Sequence, residues 1–396
     1  LLNEDFPMFW RIPRSDRVRP RTKSRPRLET LEGRQLMSLA AEFPAPINTT
    51  LRNTQFASAN ASSVNGSVTV WTDSLNFTSH DIRAQRLNAL GQKVGPEIVV
   101  NAGGIDDDQP AVAMDARGDF VVAWRQALGN GDTNVLAQRY NAVGAPIGGV
   151  VGVGVGTFRE HNPSVAMDGR GDFIVSYTRD TNNNNPDIFA KRYDVNNNLF
   201  QVVNVALSPL AENNSSVAMT PDGRFDIAYE VTVSPTVHDI LLGQYTASGA
   251  IQDFRQIAAS GAFATLPKVS VDIGGNAVVA WESVFNGNAD VLATRVFASG
   301  VQGRVIPIAT SAFGERNPSV ASEGRGGAFV VAYDADTPFI THVRVAEVSA
   351  FNHVTTFDAG VRFNPAVSIN SANKYLVTYT SDDTGDFNIR GRFGHL

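Results

Sequence analysis

Pro110-Ala-Val-Ala-Met-Asp115-Ala-Arg-Gly118-Asp119-Phe120-Val-Val-Ala-Trp124 returns 53 residues later as Pro163-Ser-Val-Ala-Met-Asp168-Gly-Arg-Gly171-Asp172-Phe173-Ile-Val-Ser-Tyr177. The closing aromatic recurs at Trp71, Trp124, Tyr177, Tyr229, Trp281, Tyr333 and Tyr379, in steps of 53, 53, 52, 52, 52 and 46 residues. Seven units of this length are each the size of a propeller blade. Within one unit the pattern predicts four short strands, near Ala111–Met114, Phe120–Trp124, Val135–Tyr140 and Gly149–Gly152, with a turn at Asp115–Gly118 where Gly permits positive φ. Phe120, Val122 and Trp124 alternate with Val121 and Ala123, so both faces of the second strand are apolar. A sheet apolar on both faces must pack between two neighbours. The expected fold is all-β: a seven-bladed β-propeller of four-stranded antiparallel blades over residues 43–396.

The last unit stops after its third strand, near Ile389–Phe393. Phe43-Pro-Ala-Pro-Ile-Asn48 lies where a fourth strand would precede the first unit, and it aligns with Gly95-Pro-Glu-Ile-Val-Val-Asn101. Residues 43–48 are therefore expected to complete the last blade, closing the ring with an N-terminal strand and leaving no open edge.

The chain has 396 residues, 43% hydrophobic and 18% charged, with a net charge of −6 and no Cys. Disulfides, thiolate metal sites and a Cys nucleophile are excluded. The negative charge argues against a nucleic-acid binder. No apolar stretch approaches the ~18 residues of a membrane-spanning helix. Residues 1–40 differ from the rest. Nine Arg and Lys between Arg11 and Arg34, with Pro13, Pro20 and Pro26, predict a disordered basic leader. The apolar run Leu36-Met37-Ser38-Leu39-Ala40-Ala41 behind it is shorter than the ~7–15 residues of an ordinary signal sequence. Met8 fits a translation start.

Leu28-Glu29-Thr30-Leu31-Glu32-Gly33-Arg34-Gln35-Leu36-Met37-Ser38 resembles the LEPR-XLL motif found near the N-termini of large exported or surface proteins of planctomycetes and related bacteria. Gly33 stands in place of its Pro and Met37 in place of a Leu. The resemblance implies an extracellular or cell-surface protein and no particular chemistry. The long repeat likewise resembles repeats of bacterial extracellular proteins.

Several constellations have a plain reading beside a functional one. Arg86, Arg139, Arg192 and Arg295 recur in the third strand, and an inter-blade hydrogen bond or cation–π contact with the recurring second-strand aromatic explains them without a ligand. Arg117-Gly118-Asp119 and Arg170-Gly171-Asp172 spell an adhesive tripeptide, yet turn chemistry accounts for both. His80, His238 and His342 occupy equivalent positions and read as solvated loop residues. Gly148–Gly156 lacks the ending of a phosphate loop and reads as a bending fourth strand. The face carrying the loops between second and third strands, and between successive units, holds about twenty acidic against five basic residues. Such a field attracts cations or basic partners, although solubility alone also explains it. Its densest clusters, Asp106, Asp107 and Asp108, and Asp382, Asp383 and Asp386, offer hard oxygen donors for Ca²⁺ but lack the spaced Asp-x-Asp-x-Asp-Gly pattern.

No set of catalytic residues has supporting context, so the sequence points away from an enzyme. The expected function is an extracellular or surface-displayed binding or scaffold module, monomeric, for a protein or glycan ligand met on the acidic loop face. The alternative is a secreted propeller enzyme, hydrolase or lyase, acting on polysaccharide.

Overall fold

The computed structural model describes residues 39–49, 53–76, 79–102, 106–181, 185–258, 263–382 and 386–396. The basic leader, the LEPR-XLL-like segment, Asp383 and the loop residues 77–78 and 182–184 lie outside the described residues. Among the described residues there are twenty-seven strands and no helix; hence no helix is long and apolar enough to cross a membrane.

The strands form antiparallel groups in chain order. Sheets one to six span residues 54–101, 107–154, 160–206, 211–258, 263–309 and 315–361, with four strands each. Sheet seven, 363–395, has three. Sheets four and five also touch edge to edge through one parallel bridge, His238 to Phe263. The strands of sheet two, Asp107–Met114, Phe120–Ala127, Thr133–Tyr140 and Pro146–Gly154, run several residues beyond the cores expected from the apolar pattern. Much of the acidic sequence expected in loops thereby belongs to strand ends.

Two-faced burial of the second strand organises the packing. Phe120, Val122 and Trp124 join Val68, Val70 and Ala84 of sheet one, while Val121 and Ala123 join Val175 and Tyr177 of sheet three. Each following pair of sheets encloses its own apolar cluster in the same way. A further cluster joins Leu376 and Ile389 of sheet seven to Trp71 and Leu87 of sheet one, together with Phe43 and Ile47. Sheets one and seven also meet through polar contacts. Asn60 Nδ2 donates to the Ala366 carbonyl at 2.9 Å, and the Ser62 and Ser368 hydroxyls are 2.7 Å apart.

The segment preceding sheet one lies along the third strand of sheet seven, but residues 43–48 form bends and not the expected strand, since Pro44 and Pro46 have no N–H to give a ladder. Ala40 N donates to Phe393 O at 2.8 Å, Phe43 N to Gly391 O at 3.0 Å and Ile47 N to Ile389 O at 2.7 Å. Phe43 seats against Gly391, where a Cβ would stand 2.9 Å from its ring. Glu42 accepts from Tyr379 Oη at 2.6 Å and from Arg362 at 3.2 Å, and the Asn48 side chain bonds Gln55, Asn388 and the Ile389 amide.

The third-strand arginines make the expected inter-sheet contacts, with one correction. For three of the four, the aromatic partner is the residue that opens the next second strand rather than the one that closes it. Arg139 lies 5.3 Å from the Phe173 ring, Arg192 5.0 Å from Phe225 and Arg295 4.7 Å from Phe329. The same guanidiniums donate to carbonyls of the following sheet, Arg139 to Val195 at 3.0 Å and Arg192 to Ala247 at 2.9 Å. The two Arg-Gly-Asp stretches are turns: Asp115 and Asp168 accept amides two and four residues ahead, and Gly118 and Gly171 have φ of 95° and 99°.

Because Phe43 fills the cluster between sheets seven and one, Phe43→Ala is expected to lower the unfolding free energy by about 3 kcal/mol in urea titration. Deleting residues 1–49 should cost more still, and deleting 1–38 little. Equal stability of all three variants and the full chain would contradict this role.

Candidate functional site

The first strand of every sheet breaks at one equivalent point. Ala57, Gln109, Asn162, Asn214, Leu266, Asn317 and Asn364 all adopt left-handed backbone, with φ between 50° and 53°. Pairing with the second strand slips there in each sheet, as between Asp108 and Ala111 or between Arg316 and Ser319. Asn tolerates this conformation better than most residues. In five sheets Pro follows the break, at Pro110, Pro163, Pro267, Pro318 and Pro365, an edge position where a missing N–H is harmless. The seven breaks line a single cavity of about 440 Å³. Sequence reasoning missed this site, although the signal was present as Asn or Gln before Pro-x-Val in four units.

Behind the breaks sit three buried carboxylates, Glu230, Glu282 and Asp334, each directly after the closing aromatic of its second strand. They accept the amides exposed by the slip in the next sheet: Leu266 N to Glu230 at 3.4 Å, Asn317 N to Glu282 at 3.4 Å and Asn364 N to Asp334 at 3.3 Å. Carboxamides add to this, Asn214 Nδ2 to Glu230 and Asn317 Nδ2 to Asp334, both at 2.8 Å. Burial pushes Glu282 above the usual carboxylate range and lifts Asp334 to about 6. These carboxylates brace neighbouring sheets through those bonds.

The acidic face is in part a buried layer, which weakens the expected surface field. Ten of its twenty acids are buried. Asp73 accepts from Gln55 at 2.8 Å and pairs with Arg83 at 2.6 Å; Glu160 pairs with Arg179 at 3.0 Å. The equivalent histidines are not solvated either. Each is largely buried against a carboxylate: His80 on Asp106, His238 on Glu230 at 2.5 Å, His342 on Asp358 at 3.0 Å.

The calcium candidates diverge. Asp106 meets His80, Asp108 meets Arg125 through Nε at 2.6 Å, and buried Asp107 accepts from Asn101 at 2.7 Å, with burial raising it to about 6. Asp382 ends the second strand of sheet seven, opposite Phe387, and Asp386 directly precedes the third. Among the described residues no three His, Asp or Glu side chains converge as metal ligands would.

No protein-family model matches the sequence, and no curated protein matches it. Solved structures are similar at low identity. An ulvan lyase of polysaccharide lyase family PL25 superposes with a TM-score of 0.59 at 9% identity, covering 88% of this chain and 95% of the lyase. A protein of unknown function from Dyadobacter fermentans gives 0.54 at 12%, covering 74% and 95%. A subtype N10 neuraminidase-like protein of a little yellow-shouldered bat isolate gives 0.50 at 9%, covering 73% and 95%. The fold is of the propeller type.

Asp226 is a further buried carboxylate, accepting from Gln244 Nε2 at 3.1 Å, and burial raises it to about 7 from 3.8. Between these two values the folded chain holds a proton that the unfolded chain has lost. Stability from this group therefore grows as pH falls from 7 toward 4 and is lost as pH rises through 7. Asp226→Asn should stabilise the fold at pH 8, on the order of 2 kcal/mol, less at pH 5.5, and negligibly near pH 4. A pH-independent effect in thermal unfolding would contradict this.

Proposed function

We propose that the seven sheets form one closed seven-bladed ring, in which residues 43–48 lie along the third strand of the last blade and take the place of its fourth strand. The apolar cluster between sheets seven and one supports this reading, as does the cavity bordered by the first strand of every sheet. On that frame, the protein is an exported, surface or extracellular binding module whose ligand is a glycan or a protein. Export is supported by the basic leader and its LEPR-XLL-like stretch.

One observation carries the binding reading. The central cavity is walled by carboxamides, hydroxyls and small side chains, while the carboxylates beside it are engaged in holding sheets together. Such a wall can hydrogen-bond a polar ligand. Glycosidic hydrolysis calls for two uncommitted carboxylates. The likeness to an ulvan lyase supports the polysaccharide-enzyme alternative at the level of fold.

Purified protein passed over a panel of immobilised glycans and extracellular proteins tests this. Retention on a glycan or protein, with the glycan chain length unchanged by size-exclusion chromatography, is the expected result. Shortening of a glycan that Glu230→Gln or Glu282→Gln abolishes would replace the binding reading with the enzymatic one.

A further inference from the structure

Two residues past the left-handed break, six first strands carry a small side chain: Ala59, Ala111, Ser164, Ser216, Ser319 and Ala366. Sheet five carries Lys268. Smallness has a structural use here. Ser164, Ser216 and Ser319 each accept a backbone amide of the next sheet, from Val217 and Val269 at 3.1 Å and from Val367 at 3.0 Å. Lys268 can accept nothing, so it gives up that bond to place an ammonium on the wall of the cavity.

That ammonium has no ion pair and no hydrogen bond among the described residues. Its side chain is exposed to the water of the cavity and is the one charged group among the residues that line it. The lining carries no carboxylate, so the field at this point of the wall favours an anionic group brought by a ligand. Neutral donors share the wall. The carboxamide nitrogens of Gln109 and Asn364 have no acceptor among the described residues. A cavity of about 440 Å³ accommodates a sugar unit.

We infer that the central cavity binds an acidic sugar, with Lys268 meeting its carboxylate or sulfate group and Gln109 and Asn364 donating to its hydroxyls. This rests on the binding-module reading and names its ligand class. The repeat makes Lys268 the distinguishing residue: six units keep Ala or Ser at this position, and one presents a charge to the cavity.

Calorimetric titration of the full chain with galacturonate, galactose 6-sulfate and galactose provides the test, alongside Lys268→Ser, which carries the residue three other sheets already have. At least one acidic sugar should bind roughly tenfold more tightly than galactose, and Lys268→Ser should remove that preference while keeping its melting temperature. Which acid binds identifies the anion. Acidic sugars that bind Lys268→Ser equally well, or galactose that binds as tightly as they do, would overturn the inference. If glycans of the immobilised panel are retained while all three free sugars fail to bind, this inference falls and the binding reading stands. If the panel retains nothing either, both fall.

Discussion

Every sheet presents apolar side chains on both faces of its second strand, and neither face can be left in water. Fully burying a Val, Ile or Phe contributes ~1.5–3 kcal/mol. A strand such as Phe120–Trp124, with five consecutive buried side chains, therefore requires a neighbour on each side. Applied to repeated units, the same requirement passes from each sheet to the next. Sheet seven and sheet one share such a cluster, to which Phe43 and Ile47 contribute. The third-strand arginines reinforce the same seams, stacking on the next Phe and tying into the carbonyls of the following turns.

The first strands border one cavity, and each carries a left-handed break there. Each break turns a backbone amide away from its own sheet, and an unpaired buried amide is costly. Glu230, Glu282 and Asp334 accept those amides from the neighbouring sheet, while Gln109 Oε1 does the same for Asn162 N at 2.8 Å. The carboxylate layer is thus a consequence of strand geometry. Burial removes half of the acids of the loop face from the surface, and some of the others are paired, as Asp108 is with Arg125 and Asp180 with His161.

The architecture was legible because it is written in a period. Recurrence of the aromatics and the period-two alternation in Phe120–Trp124 determine strands, faces and neighbours from the chain alone. The site was less legible. An acid near a strand end reads the same whether its carboxylate faces water or the adjoining sheet, so Asp73 and Glu282 passed for loop charge. His238 passed for a loop residue because its partner Glu230 belongs to the preceding strand of the same hairpin, eight residues away. The left-handed breaks were visible only as Asn or Gln before Pro-x-Val, a pattern whose meaning depends on register. Lys268 could have been found by asking which unit departs from a small-residue position, since a repeat exposes its exceptions.

Contact between the first and last sheets is the most direct test of this account, and a chain without Cys allows it to be made cleanly. The Ser62 and Ser368 hydroxyls lie 2.7 Å apart across that seam. The double variant Ser62→Cys, Ser368→Cys should form an intramolecular disulfide under mild oxidation, detected by mass spectrometry of the linked peptides, and should melt at a higher temperature oxidised than reduced. Two free thiols, or only intermolecular links, in the folded protein would contradict closure of the ring.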